Sequence, residues 1–198
     1  RLALREHTMD DVPKIYAITK KPGFYYSRFD GTMDTVKEYI ECAIRTHNET
    51  KDRAKQQDVY LAVTIKETNE FIGHVCLKQD MHDGKPVHEI NFFIDPAYQN
   101  KGYGREGIVN IMIYGFEVLK LSQYVVTVHP DNGPSQRVAQ LEGGVKIGKT
   151  TLITVKGEEP RDLIAVTREE FMKVRANDKK PLLLAKPAPT CPVRKFKR

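Results

Sequence analysis

The chain alternates between two hydrophobic periods. Leu2-Ala3-Leu4-Arg5 has the period-two pattern of a first strand. Thr8-Met9-Asp10-Asp11 is a helix-start signal, and Val12, Ile15, Tyr16 and Ile18 follow at helical spacing until Lys21-Pro22-Gly23 breaks the run. A second helix is predicted from Thr32 to about Thr46, with Val36, Tyr39, Ile40, Ala43 and Ile44 as its apolar stripe and the polar stretch 47–57 as a frayed extension. Val59 to Ile65 and Phe71 to about Lys78 read as paired strands joined by the turn Glu67-Thr68-Asn69-Glu70. A loop is expected over Met81 to Pro86, then a strand from Val87 to Ile94 stopped by Asp95-Pro96. Tyr103 to Leu119 has helical period, Tyr124 to Val128 is a strand, and Pro134 to Leu141 is a short helix. Val145 to Val155 and Asp162 to Val166 form a final hairpin, and Arg168 to Val174 a terminal helical turn. This order of strands and helices predicts one mixed sheet with helices on its faces.

Composition changes the picture mainly at the C-terminus. The 198 residues suit one compact domain, expected over 1–176. The formal charge of +6 is matched by seven cations (Lys179, Lys180, Lys186, Arg194, Lys195, Lys197, Arg198) in a span without acidic residues. The excess therefore belongs to a basic, Pro-rich tail over 177–198, which is expected to be extended, with Leu182-Leu183-Leu184 as its apolar patch. A nucleic-acid-binding reading of that tail predicts strong salt dependence, but the near-neutral body does not favour it. No apolar run approaches a membrane span, and the first residues lack the apolar core of a signal peptide. Cys42, Cys76 and Cys191 are odd in number and widely spaced, so reduced thiols in a cytoplasmic setting are expected.

The candidate chemistry sits in the stretch Glu89 to Gly104, where a strand ends, Gln99-Asn100-Lys101-Gly102-Tyr103-Gly104 forms a Gly-rich loop, and a long helix begins. The first amides of a helix lack intrahelical acceptors, and the helix dipole adds about half a positive charge there. Glycines let a diphosphate approach the backbone. Lys101 and Arg105 add charge beside the loop. Gly148-Lys149-Thr150 has the ending of a nucleotide-binding P-loop, but no long helix follows. Gly102-x-Gly104-x-x-Gly107 has dinucleotide-binding spacing, but no acidic residue closes a second strand about 20 residues on. His74, His82, His88 and His129 have no metal-ligand spacing, so no metal is expected.

These residues resemble a known family. Gln99 to Gly104 is similar to the Q/R-x-x-G-x-G/A signature of the GNAT N-acetyltransferase superfamily. Val128-His129-Pro130-Asp131-Asn132-Gly133-Pro134-Ser135-Gln136-Arg137-Val138 is similar to the V-x-P-x-N-x-x-S-x-R-V run of its RimJ/RimL-like branch. The resemblance covers about residues 1–174. It implies an α/β (α+β) fold, a mostly antiparallel twisted sheet of about seven strands flanked by about four helices. It also implies transfer of an acetyl group from acetyl-CoA to an amine acceptor, by a monomer or homodimer.

The resemblance carries roles residue by residue. Phe92, Phe93 and Ile94 would present backbone groups to the pantetheine arm and the acetyl carbonyl. The amides of Gln99, Asn100, Lys101, Gly102, Tyr103, Gly104 and Arg105 would hold the diphosphate, and Asn132 and Ser135 would lie near the thiol. Glu89 is the candidate general base, since a desolvated carboxylate holds a proton more firmly than it does in water. Ser135 is the candidate acid for the leaving thiolate; its other role would be to cap a helix. Tyr25, Tyr26, Arg28 and Phe29, in the loop between the first two helices, are expected to border the acceptor pocket. Three departures touch the acceptor side: Gln140-Leu141-Glu142-Gly143-Gly144-Val145 replaces the branch's usual run, the hairpin that follows is expected to be short, and 21–57 is long. A catalytically silent acyl-CoA-binding module is the competing reading, separated from an enzyme by thiol release.

Overall fold

The computed structural model describes residues 1–177 other than 51, 83, 155 and 156; the basic tail and its leucine patch lie outside the described residues. The strands are β1 (Leu2–Glu6), β2 (Val59–Ile65), β3 (Phe71–His82), β4 (Lys85–Ile94), β5 (Gln123–Val128), β6 (Val145–Thr154) and β7 (Gly157–Thr167). The helices are α1 (Val12–Thr19), α2 (Met33–Glu49), α3 (Tyr103–Glu117), α4 (Gly133–Leu141) and α5 (Arg168–Asn177). The seven strands form one sheet in the order β1-β2-β3-β4-β5-β7-β6, antiparallel throughout except where β4 meets β5.

Local signals place the helices. Thr8 and Asp11 form a capping box just before α1. Thr32 caps α2 by accepting from the Thr35 amide at 3.4 Å. The α2 stripe Val36, Ile40 and Ala43 is fully buried, joining Ile15, Phe71 and Phe93 on one sheet face. Each such aliphatic side chain stabilises by roughly 1.5–3 kcal/mol relative to exposure. The opposite face packs Ile108, Ile111, Met112 and Phe116 of α3 against Val63, Ile72, Leu77 and Ile90, with Phe171 of α5 beside Phe116. The shorter α4 covers Val126, Val128 and Ile164 through Ala139.

The structure extends two predicted hairpins. The expected loop over Met81 to Pro86 is strand almost to its tip, because Met81 pairs with Pro86 and His82 with Lys85. Likewise β7 begins at Gly157 rather than Asp162, its charged first half pairing along β6 down to Thr154 opposite Gly157, so this hairpin is long rather than short. In both cases ladder hydrogen bonds hold polar residues that carry no apolar alternation. The spacing Gly143-x4-Gly148-Lys149-Thr150 matches a P-loop, yet Gly148 to Thr150 lie in β6 and no helix follows them.

Candidate active site

β4 and β5 run parallel but pair only at Glu89 and Val125. Beyond that point they part. The gap becomes a cleft walled by Ile90, Asn91 and Phe92 of β4 and Val126, Thr127 and Val128 of β5, with Asn132 and Ser135 at its α4 side. The direction of the β4 peptides follows from its other edge. The Asp95 amide donates to Ile72 of β3 at 2.8 Å, and the Phe93 carbonyl lies 2.4 Å from where a Cβ on Gly73 would stand. Peptide groups alternate along a strand, so those of Phe92 and Ile94 face the cleft while those of Phe93 face β3. This corrects the expectation for Phe93. Its ring instead packs with Phe24, Tyr26, Phe29 and His74 on the α1–α2 face.

The loop at the open end of β4 has the backbone shape that the glycines suggested. Asn100 and Gly102 both have positive φ, 60° and 80°, and Gly102 is the N-cap of α3. Among the described residues the amides of Asn100 to Gly104 have no hydrogen-bond acceptor; the first helical bond of α3 is Glu106 to the Gly102 carbonyl, at 3.1 Å. Gln99 serves the loop rather than joining this set. Its amide donates to Pro96 at 3.3 Å, and its side chain donates to the Ile94 carbonyl at 3.0 Å, tying the loop to the strand end. The nearby cations are also arranged differently from expectation. Arg105 pairs with the fully buried Glu142 at 2.6 Å, and Lys101 donates to the Ala97 carbonyl at 3.0 Å. Arg1 lies over the loop, donating to the Lys101 carbonyl at 3.0 Å and stacking 4.5 Å from the Tyr103 ring centre, and its guanidinium is paired with Glu106 at 2.9 Å.

The candidate acid and base lie in different settings. Ser135 borders the cleft, and Asn132 supplies the α4 cap by accepting from the Ser135 amide at 3.2 Å. The Ser135 hydroxyl has no partner among the described residues, so capping does not occupy it. Glu89 is buried at the closed end, where its carboxylate meets the Lys78 ammonium at 3.1 Å and accepts from the Thr127 hydroxyl. It does not border the cleft. Tyr124 is likewise committed, donating to the Met112 carbonyl at 2.6 Å within the core.

On the acceptor side, Tyr25 and Tyr26 line the cleft and Phe29 packs behind Tyr26, whereas Arg28 is exposed and Ser27 lines the cleft instead. Sequence reasoning missed Arg161 and Glu159 of β7. Arg161 is 5% exposed, pairs with Glu159 at 2.5 Å and reaches the Tyr25 hydroxyl at 3.4 Å; Tyr25 itself donates to Glu159 at 2.7 Å. This bond set ties the α1–α2 loop to β7 across the cleft mouth. Asn91 was missed too; its Nδ2 is buried in the cleft wall with no partner among the described residues. Its place two residues after Glu89, on the same strand face, was the available signal. Among the described residues no three His, Cys, Asp or Glu side chains are placed to hold a metal, and no helix is long and apolar enough to cross a membrane.

The profile described as "Acetyltransferase (GNAT) domain" matches residues 1–145. The chain is 28% identical over 181 residues to the "Uncharacterized N-acetyltransferase YnaD" of Bacillus subtilis, covering 86% of this chain and 96% of that one. Among solved structures, a putative ribosomal-protein-serine acetyltransferase from Vibrio cholerae superposes with a TM-score of 0.69 at 19% identity, over 84% of this chain and 94% of that chain. Mycobacterium smegmatis RimJ in complex with CoA-disulfide gives 0.68 at 18% identity, over 85% and 83%. At such identities these two structures speak to the fold.

Proposed function

The chain belongs to the GNAT acetyltransferase family and is an acyltransferase, and on that premise we propose that it transfers the acetyl group of acetyl-CoA to a primary amine by direct attack in a ternary complex. The acceptor class is a protein N-terminus or a small-molecule amine, in the manner of the RimJ/RimL-like branch. One observation carries this reading: β4 and β5 share a single paired position and then open a cleft whose far end is a loop with five amides that have no acceptor among the described residues. Acetyl-CoA supplies the activated acyl group. The residues present fit it, since amides at a helix N-terminus suit a diphosphate and the cleft edge of β4 suits an extended amide-bearing arm.

In this reading the amides of Asn100 to Gly104 hold the diphosphate. The amides of Phe92 and Ile94 face the acyl carbonyl and stabilise negative charge that develops on its oxygen; losing one such donor typically costs about 10²–10³ in rate. Ser135 gives its hydroxyl proton to the departing sulfur. Glu89 holds Lys78 and Thr127 in place and sets where the strands divide. Thiol release from acetyl-CoA in the presence of an amine panel tests the reading. Release that depends on both amine and protein supports an enzyme. Tight acetyl-CoA binding with no release for any amine would instead identify a silent acyl-CoA-binding module.

A further inference from the structure

A file of buried polar side chains runs from the cleft wall through the α1–α2 face of the sheet. We propose that Tyr26, Tyr39, His74, His7 and Asp11 form a relay that carries the acceptor ammonium's proton away from the cleft. The inference rests on the acetyl-transfer reading above. It supplies the step that Glu89, outside the cleft and bound to Lys78, leaves unassigned.

The file is continuous. The Tyr26 hydroxyl lies 3.1 Å from that of Tyr39, and Tyr39 lies 3.0 Å from His74 Nε2. His74 Nδ1 lies 2.8 Å from His7 Nε2, and His7 Nδ1 lies 3.3 Å from Asp11 Oδ2. Tyr26 is the member that lines the cleft. The five residues come from the α1–α2 loop, α2, β3, the end of β1 and the turn before α1, so tertiary structure and not local sequence assembles them. Their surroundings are apolar: Phe29, Phe71 and Phe93 pack on them. Two neutral imidazoles buried in such a core cost free energy that an aliphatic pair would not. Only a fully connected network offsets that cost.

The acid end fixes every donor. The Arg5 guanidinium grips Asp11 with two bonds of 2.7 Å, so the carboxylate is ionised and can only accept. His7 therefore carries its proton on Nδ1, which leaves Nε2 to accept from His74 Nδ1–H. His74 Nε2 then accepts from Tyr39, whose hydroxyl also lies 3.7 Å from the Cys76 thiol, and Tyr39 accepts from Tyr26. The lone pairs of the Tyr26 oxygen remain for a proton arriving from the cleft.

Atoms balance along this line. One N–H bond of the ammonium breaks, and its electron pair stays on nitrogen for the attack. The Tyr26 oxygen takes that proton as its own passes to Tyr39, the Tyr39 proton to His74 Nε2, and the His74 Nδ1 proton to His7 Nε2. His7 becomes an imidazolium against Asp11; both side chains are closed to solvent, so once the products have left the proton returns along the same file to Tyr26 and the open cleft, which restores every donor. The amine's second proton replaces the one Ser135 gives to sulfur. One proton thus leaves per turnover, as the conversion of an ammonium and a thioester to an amide and a thiol requires.

The charged and titratable groups around the file are compatible with this. His7 faces Asp11, Arg5, His47 of α2 and His74, with Glu6 a further 3.7 Å beyond His47, and Lys14 of α1 shares Asp11 at 3.3 Å. His74 faces His7, Tyr26, Tyr39, Tyr60 and the Leu61 carbonyl. Burial lowers the pKa of both imidazoles, more strongly for His74, so both are neutral at pH 7 and a proton passed to them is held only transiently. Burial raises both tyrosines well above their ordinary value, so they pass protons in concert and never as phenolates.

Two readouts test the relay. The first is ¹⁵N NMR of histidine-labelled protein with acetyl-CoA added at pH 7. It should report His74 and His7 neutral and protonated on Nδ1; the Nε2–H tautomer or a charged ring at either position overturns the relay. The second is thiol release with spermidine and an alanine-initiated peptide as probe amines. In Tyr39→Phe, kcat near neutral pH should fall about 10²-fold with KM for acetyl-CoA unchanged. The loss should shrink as the pH approaches the amine's own pKa, where the acceptor arrives already deprotonated. A folded Tyr39→Phe with the parent's kcat and pH profile contradicts the proposal, and Tyr26→Phe gives the same test if Tyr39→Phe does not fold. The tautomer readout does not require turnover, so failure of the relay and failure of the acetyl-transfer reading are separable.

Discussion

Two candidate residues of similar promise in the sequence have different surroundings, and their variants should separate. The Ser135 hydroxyl has no internal partner because Asn132 caps α4. Ser135→Ala should therefore lower kcat by about 10²-fold while leaving thermal stability and KM for acetyl-CoA near the parent's. Glu89 stands between Lys78 and Thr127. Glu89→Gln should lower stability by about 1–3 kcal/mol, since the largely buried Lys78 ammonium is left with Asp80 alone as its charge partner. The pH profile of its remaining activity should match the parent's; a lost acid limb would instead make Glu89 the base. Titration of stability belongs to single residues too. Burial pushes the Asp11 carboxyl up, but hydrogen bonds from Arg5, His7 and the Thr8 amide outweigh it and hold Asp11 well below the usual carboxylate range. The His7 and His74 pKa values lie below the ordinary 6.5, because burial opposes their charged forms. Below that pH the unfolded chain binds protons that the native histidines refuse, so stability falls. Asp11 adds a second loss below about pH 4. Thermal unfolding from pH 8 to 3 should show both declines. His74→Gln should weaken the first, and a flat profile down to pH 4 would contradict the assignment.

Elements were legible in proportion to their apolar periodicity. The α2 stripe declared itself because one face is buried, and β2 and β5 because nearly every position along them is apolar and buried. The outer halves of the β3–β4 and β6–β7 hairpins did not, since their pairing is held by backbone bonds between polar residues. The backbone shape of the loop before α3 was readable from Gly102, whose positive φ leaves a sequence trace. The partners of Arg105 were not, because Glu142 lies 37 positions away on the end of α4. The proposed acceptor side was half readable: an aromatic run announced Tyr25, Tyr26 and Phe29, but Glu159 and Arg161 fell between the two predicted strands of the final hairpin. Element packing also gives a test. A Cβ on Gly115 of α3 would stand 2.0 Å from the Tyr124 hydroxyl of β5. Gly115→Ala should cost about 1–3 kcal/mol in thermal unfolding through displacement of Tyr124. Unchanged stability would mean that α3 sits farther from β5 than described.

At the scale of the molecule, one sheet performs three tasks because two of its strands part company. β3 and β7 hold the outer edges of β4 and β5, so divergence between those two strands is a stable feature rather than a frayed edge. The α3 face closes one side of the opening and supplies the helix start proposed to hold the diphosphate; the α1–α2 face supplies aromatic walls and the His7–His74 file. The central claim is that the turn at 100–104 anchors a cofactor diphosphate and thereby aims its thioester into the gap. Calorimetric titration of acetyl-CoA into the parent, Gly102→Asn and Gly102→Asp tests it most directly. Asparagine tolerates the positive φ of 80° without adding charge, whereas aspartate sets a carboxylate against the diphosphate. The account predicts near-parent affinity for Gly102→Asn and at least a 10²-fold loss for Gly102→Asp. Equal affinity for all three proteins would contradict it.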